Sequence, residues 1–177
     1  GEANHLLVLI DGVEVNNPSQ NDEFNWGNLV ASDIERIEVI RGPQSSMLGS
    51  DAMAGVVNII TRSADQLLST NIFSEIGSFN TQNNGISIGL KDGAFDMRLG
   101  ISDLQTDGDN ISRSGSEKDG YENTNLNLKS GWRVSNQLNL TLAARQSDGI
   151  NEFDADINFD SLIDDQDDLS KFLSSTK

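Results

Sequence analysis

Two kinds of apolar pattern divide the chain. Up to Arg62 the apolar residues come in short dense runs: Leu6 to Ile10, then Ile34, Ile37, Val39 and Ile40 among charges, then Val56, Val57, Ile59 and Ile60 around Asn58. The β-branched last run predicts a buried strand, and Asn58 inside it needs a hydrogen-bond partner if it faces inward. From Thr70 the pattern becomes alternation. Ile86, Ile88 and Leu90 interleave with small or polar residues, and so do Phe95, Met97, Leu99 and Ile101. Leu126 and Leu128 do likewise, then after a slip Trp132 and Val134, then Leu138, Leu140, Leu142 and Ala144. A period of two predicts antiparallel strands with one greasy and one wet face.

Turn formers set the connections. Asp11-Gly12 predicts a hairpin between Leu6–Ile10 and Val13–Val15. Asn16 to Trp26 gathers turn-forming residues around two aromatic rings and reads as a loop. Gly42-Pro43 stops the strand before it, because Pro lacks the ladder donor and Gly tolerates bent backbone, and Ser45 to Ser50 reads as a compact turn. In the alternating part Lys91–Gly93 and Ser135–Gln137 are tight turns, Ser78–Asn84 is intermediate, and Gln105–Gly120 and the stretch from Ser147 onward are long and polar. Counting Thr70–Gly77 first, this makes about five strands, each near the roughly 9 to 11 residues that cross a bilayer when tilted. Outer-membrane barrels place short turns at one end and long loops at the other, although a soluble antiparallel sheet shares the period of two.

Composition narrows the choice. Hydrophobic residues make up 36% of the 177, which is sparse for a soluble globule and suits a wall where alternate residues alone need be apolar. A net charge of −16 with 12 Lys and Arg excludes nucleic acid as a partner, since phosphate neutralisation needs clustered cations. The absence of cysteine removes disulfides and thiolate metal sites. The single histidine, His5, stands at a strand start; it leaves no Ser-His-Asp set, so an enzyme is not expected.

The segments Ile34 to Pro43, Gly49-Ser50, Ala52 and Gly55 to Thr61 stand in fixed order, with Leu6 to Val13 before them. The series resembles the plug domain of TonB-dependent outer-membrane receptors, closest in wording to the cobalamin receptor type. Two positions depart from the family pattern: Leu48 stands where a Tyr is usual, and Ala54 where the first Gly of a pair is usual. The resemblance implies an α+β plug, a mixed small sheet with short helices, followed by antiparallel strands of a transmembrane β-barrel. Residues 1–62 would be the C-terminal half of the plug, 63–69 a linker, and 70–177 the first about five barrel strands. The signal peptide, the energy-coupling box and the first plug half would lie upstream of Gly1. So few strands leave an open edge, which lipid penalises by several kcal/mol per unsatisfied backbone group, so this fragment holds an incomplete barrel that continues past Lys177.

The same resemblance implies active uptake across the bacterial outer membrane. A scarce nutrient, cobalamin in type with ferric siderophore or haem as the alternative, would bind at the plug apex and outer loops. The TonB energy-coupling protein would act through an upstream segment, and outer-membrane lipid would surround the barrel. Asn16, Asn17, Ser19, Gln20 and Asn21 offer the nutrient donors and acceptors, while Phe24 and Trp26 offer stacking faces or anchor the loop on the plug core. Arg36, Arg41, Gly42, Pro43, Gly49, Gly55, Asn58 and Arg62 would hold the plug in shape, with its arginines facing acidic wall residues.

Carboxylates crowd two long loops, one with Asp103, Asp107, Asp109, Glu117 and Asp119, the other from Asp154 to Asp168. Asp154, Asp156, Asn158 and Asp160 keep the alternate oxygen spacing of an EF-hand, but Phe159 replaces its glycine and Asp165 is shorter than its closing Glu, so a looser calcium site is the expectation. Resemblance to the calcium-binding cobalamin receptors puts Asp119 first, in Asp119-Gly120-Tyr121, then Asp107, Asp109, Asp154 and Asp156. A solvated acidic rim is the alternative. No covalent cofactor is expected. A reading from another class is a secreted calcium-binding β-adhesin.

Overall fold

Asp11 and Gly12 take positive φ, 51° and 82°, the geometry of a two-residue hairpin turn that matches strand twist. The computed structural model that shows this describes residues 5–16, 24–42, 52–110, 112, 118–154 and 171–176. The turn joins β1 (Leu6–Ile10) to β2 (Val13–Glu14), the hairpin that the sequence predicts. The chain divides into two compact units, Gly1–Ser63 and Ala64–Lys177.

In the first unit β3 (Ile34–Arg41) and β4 (Gly55–Thr61) complete a sheet of order β2-β1-β4-β3. β1 runs parallel to β4 and the other pairs are antiparallel, so the small sheet is mixed. The two central strands are buried on both faces, as unbroken apolar runs require. Val8, Ile10, Val57 and Ile59 pack on one face with Phe24 and Leu29 against them, and Leu7, Ala52 and Val56 pack on the other. β3 is an edge strand exposed along its length after Ile34. Its charges Glu35, Arg36 and Glu38 protect the edge from further pairing. The described helical pieces are two 3-10 turns, Trp26–Asn28 and Ala31–Asp33.

Asp11 fastens this unit. Its backbone N–H donates to Ile59 O at 2.9 Å, and its carboxylate accepts from the Thr61 N–H at 3.1 Å and from the Thr61 hydroxyl. Gly55 is required where it stands, since a Cβ there would lie 2.6 Å from Ile40 O. Asn58 donates to Glu38 Oε2 at 3.3 Å across the β3–β4 pair, while its buried Oδ1 has no hydrogen-bond partner among the described residues.

The second unit is a six-stranded antiparallel meander in chain order: β5 (Leu68–Ile76), β6 (Gln82–Asp92), β7 (Phe95–Thr106), β8 (Tyr121–Arg133), β9 (Asn139–Glu152) and β10 (Lys171–Thr176). Four details differ from the expectation. The first strand starts at Leu68 and the sheet has a sixth member, β10. Leu126, Leu128 and Trp132 share one unbroken phase, with Ser130 between them opposite Met97 and Leu142, so there is no slip. β9 also runs past Ser147 to Glu152.

The register aligns residues into rows. On one face Leu68, Leu90, Met97, Ser130 and Leu142 line up, then Thr70, Ile88, Leu99, Leu128 and Ala144, then Ile72, Ile86, Ile101, Leu126 and Gln146. This face is apolar yet exposed, 72% at Ile72 and 44% at Leu99. The opposite face is polar yet buried: Ser87, Ser102, Asn123, Asn125 and Ser147 lie on it, Ser147 at 0% exposure. The inside-outside rule of water-soluble sheets is thus inverted, which is the arrangement of a strand with lipid on one side and a polar lumen on the other. Phe95 and Trp132 pair at the short-turn end of the apolar band. At the far end the same face turns polar in the row Ser74, Asn84, Asp103, Thr124 and Asp148. From Phe95 to Ile101 the band measures about 20 Å along the strand, close to the ~25 Å apolar height of such barrels.

Three outcomes follow. Asp11→Ala should destabilise the plug by about 1–3 kcal/mol, read as an earlier denaturant midpoint, because the Thr61 N–H loses its acceptor. Leu99→Arg should cost about 2–4 kcal/mol of folding stability in phosphocholine vesicles, whereas a soluble surface position would tolerate it. The hydrogen bond from Arg36 at 2.8 Å, followed by the one from Asn58, lowers the Glu38 pKa. The stabilisation from this lowered carboxyl is present above the ordinary Glu range and is lost as pH falls through the lowered value. In Arg36→Ala the Glu38 carboxyl resonance should titrate at higher pH than in wild type; an unchanged midpoint would contradict the pairing.

Candidate functional site

The long connections collect at the end of the meander above the polar row, and the described chemistry gathers there. Between β5 and β6 the chain turns through Phe79 and Asn80, both left-handed at φ 56° and 55°. The turn is closed by Gly77 N–H donating to Thr81 O at 2.9 Å and by the Thr81 hydroxyl donating to Ser78 O at 2.6 Å. The start of the acidic loop after β7 clasps it. The Asp107 N–H donates to Phe79 O at 3.0 Å, the Thr106 hydroxyl donates to the same oxygen at 3.3 Å, and Asn80 Nδ2 donates to Asp107 Oδ1 at 3.4 Å.

Asp107 is the hub of this region. Lys118 Nζ lies 3.3 Å from Asp107 Oδ2, so one carboxylate joins the first outer turn to the far limb of the acidic loop. The hydrogen bond from Asn80, and after it the one from Lys118, hold this carboxyl below the usual aspartate range. The two limbs meet at Asp109 and Asp119, where Asp119 N–H donates to Asp109 O at 3.3 Å. Gly108, at φ 67°, permits the approach: a Cβ there would fall within 1.8 Å of Asp119 O. Glu152 N–H then donates to Gly120 O at 2.9 Å, fixing the end of β9 beside the loop.

These elements enclose a cavity of about 410 Å³ lined by Thr106, Asp107, Lys118, Tyr121, Glu122 and Glu152 among others. Below it, a chain of side-chain hydrogen bonds runs down the buried polar face. Arg145 donates to Asn125 at 3.2 Å, Asn125 to Asn123, and Asn123 to the Tyr121 hydroxyl at 2.7 Å. The only sequence signal of this ladder is the spacing of Asn123, Asn125 and Asn127 in one phase of β8.

The plug candidates are placed as follows. Asn16 gives both ends of its amide to β1, accepting from Val8 N–H at 2.7 Å and donating to Leu6 O at 2.9 Å. Phe24 packs against the core and meets Trp26 edge to face at 5.1 Å, while Trp26 remains 48% exposed. Asn17, Ser19, Gln20 and Asn21 lie outside the described residues, as do Pro43, Gly49, Glu117 and Asp156. Arg36 bonds Glu35 and Glu38 of its own strand, Arg62 Nε donates to Ser32 O at 3.1 Å, and Arg41 is exposed. Gly42 takes φ 92° and its N–H donates to Ala54 O. Among the described residues no three acidic or histidine side chains converge closely enough to hold a metal ion. The loop brings Asp107, Asp109 and Asp119 to one neck, and Asp154 is buried beyond the end of β9.

The TonB-dependent receptor plug domain model matches residues 1–56. The vitamin B12 transporter BtuB of Vibrio vulnificus strain CMCP6 is 29% identical over 156 residues, which is 86% of this chain and 25% of that protein. The siderophore receptor PirA of Acinetobacter baumannii superposes with a TM-score of 0.66 at 24% identity, over 85% of this chain and 24% of its own. PirA of Pseudomonas aeruginosa is 27% identical with a TM-score of 0.54, over 85% and 27%. The chain therefore spans about a quarter of the length of these relatives. These matches do not support the β-adhesin reading, which rested on acidic loops and alternation alone. Residues 1–56 thus match the plug domain of TonB-dependent receptors, and the mixed sheet followed by a meander of inverted polarity is similar to the plug and first barrel strands of those receptors.

Proposed function

We propose that the full-length protein imports a scarce nutrient across the outer membrane with energy delivered by TonB, and that the nutrient is a corrinoid. The observation that carries the transport reading is the sheet of β5 to β9, apolar outside and polar inside, following a plug sheet in one chain. The corrinoid choice rests on the 29% identical relative, a vitamin B12 transporter, against 24% and 27% identity for the two PirA siderophore receptors. The cavity beside Asp107, lined by Thr106, Tyr121 and Glu122, supplies the polar groups and an aromatic side chain that a large nutrient needs. Calcium on the outer acidic loops belongs to the same proposal, with Asp119, Asp107 and Asp109 at the loop neck and Asp154 and Asp156 after β9 as its oxygen donors.

Ferric siderophore is the second reading, favoured by solved structures that bear siderophore-receptor names and share this fold. The two separate in one titration. The purified full-length receptor should bind cyanocobalamin saturably, more tightly with calcium than with a chelator, and cells should lose uptake when TonB is deleted. Binding of a ferric siderophore without any affinity for cyanocobalamin would replace the first reading by the second.

A further inference from the structure

A bulky aromatic residue gains nothing from the left-handed region, where Asn at least finds local hydrogen bonds. Phe79 nevertheless sits there at φ 56°, next to Asn80 at 55°, and its carbonyl is held by Asp107 N–H at 3.0 Å and the Thr106 hydroxyl at 3.3 Å. Packing does not explain the residue, which is 55% exposed, and neighbouring Ile76 is 86% exposed. Lipid does not explain it either. The apolar band ends one row lower, at the polar set Ser74, Asn84, Asp103, Thr124 and Asp148. Thr106 and Asp107, which clasp the turn, also line the 410 Å³ cavity. A costly conformation maintained by hydrogen bonds from two residues that line a cavity, with the ring left uncovered, is the pattern of a preformed contact.

We infer that the Ser78–Thr81 turn is a recognition tip that presents Phe79 to the flat ring face of the nutrient, with Asp107 as the positioning residue that holds the turn. This rests on the corrinoid reading and names a contact residue for it. An aromatic face against a planar macrocycle gives contact area at little cost in side-chain freedom. Because the turn is already fixed, binding does not have to order it.

The test uses the full-length receptor in detergent, with cyanocobalamin as the probe. Phe79→Gly removes the ring and relieves the left-handed backbone, so it should leave the melting temperature equal or higher while weakening binding by at least about tenfold. Phe79→Trp should keep wild-type affinity. A structural anchor would behave oppositely, with Phe79→Gly lowering the melting temperature, and that result overturns the inference. Wild-type affinity in Phe79→Gly overturns it as well, and leaves the corrinoid reading standing. A wild-type receptor that does not bind cyanocobalamin removes the corrinoid reading and this inference with it.

Discussion

Lipid imposes one constraint from which most of this structure follows: a strand inside the bilayer must satisfy its backbone through its neighbours and show hydrocarbon only apolar side chains. β5 to β9 meet it by an unbroken antiparallel register that carries Leu90, Met97, Leu99, Ile101 and Leu126 outward and Ser87, Ser102, Asn123, Asn125 and Ser147 to the buried face. The position of the turns and the rim follows. Tight connections lie at the Phe95 and Trp132 end, and the strands lengthen past the polar row into the acidic outer region.

Alternation is a local property, so the strands of the meander are legible in the sequence. What sequence reading loses is where a strand ends. Beyond Gln146 the next outward position of β9 is Asp148, and beyond Ile101 those of β7 are Asp103 and Gln105. Their polarity marks exit from the bilayer while the ladder of hydrogen bonds continues, so hydropathy alone suggests a loop there. Ser130 misleads for a related reason: one hydroxyl on the lipid face breaks the hydropathy pattern without breaking the register, because it donates to Asp96 O at 3.0 Å across the strand pair.

The plug and the outer site divide in the same way. Leu6 to Ile10 and Gly55 to Thr61 are unmistakable because both faces are buried, and the Asp11-Gly12 turn states its own φ requirement. Residue type alone assigns Asn16 to a ligand, yet its amide completes β1; whether an Asn faces solvent or backbone depends on a neighbour ten residues away, Leu6. Phe79 is invisible in the sequence. Its interest lies in a left-handed backbone and in hydrogen bonds from residues 27 positions on, which no local pattern encodes.

Thiol scanning of β7 in the full-length receptor reconstituted in a bilayer tests the inverted sheet most directly, and the lack of cysteine in this segment makes each introduced label there unique. Nitroxides at residues 96 to 102 should alternate. Collisions with oxygen should dominate at Met97, Leu99 and Ile101, and oxygen accessibility should fall at Arg98, Gly100 and Ser102. Equal accessibility on both phases, or oxygen accessibility highest at the even positions, would contradict a lipid-facing wall.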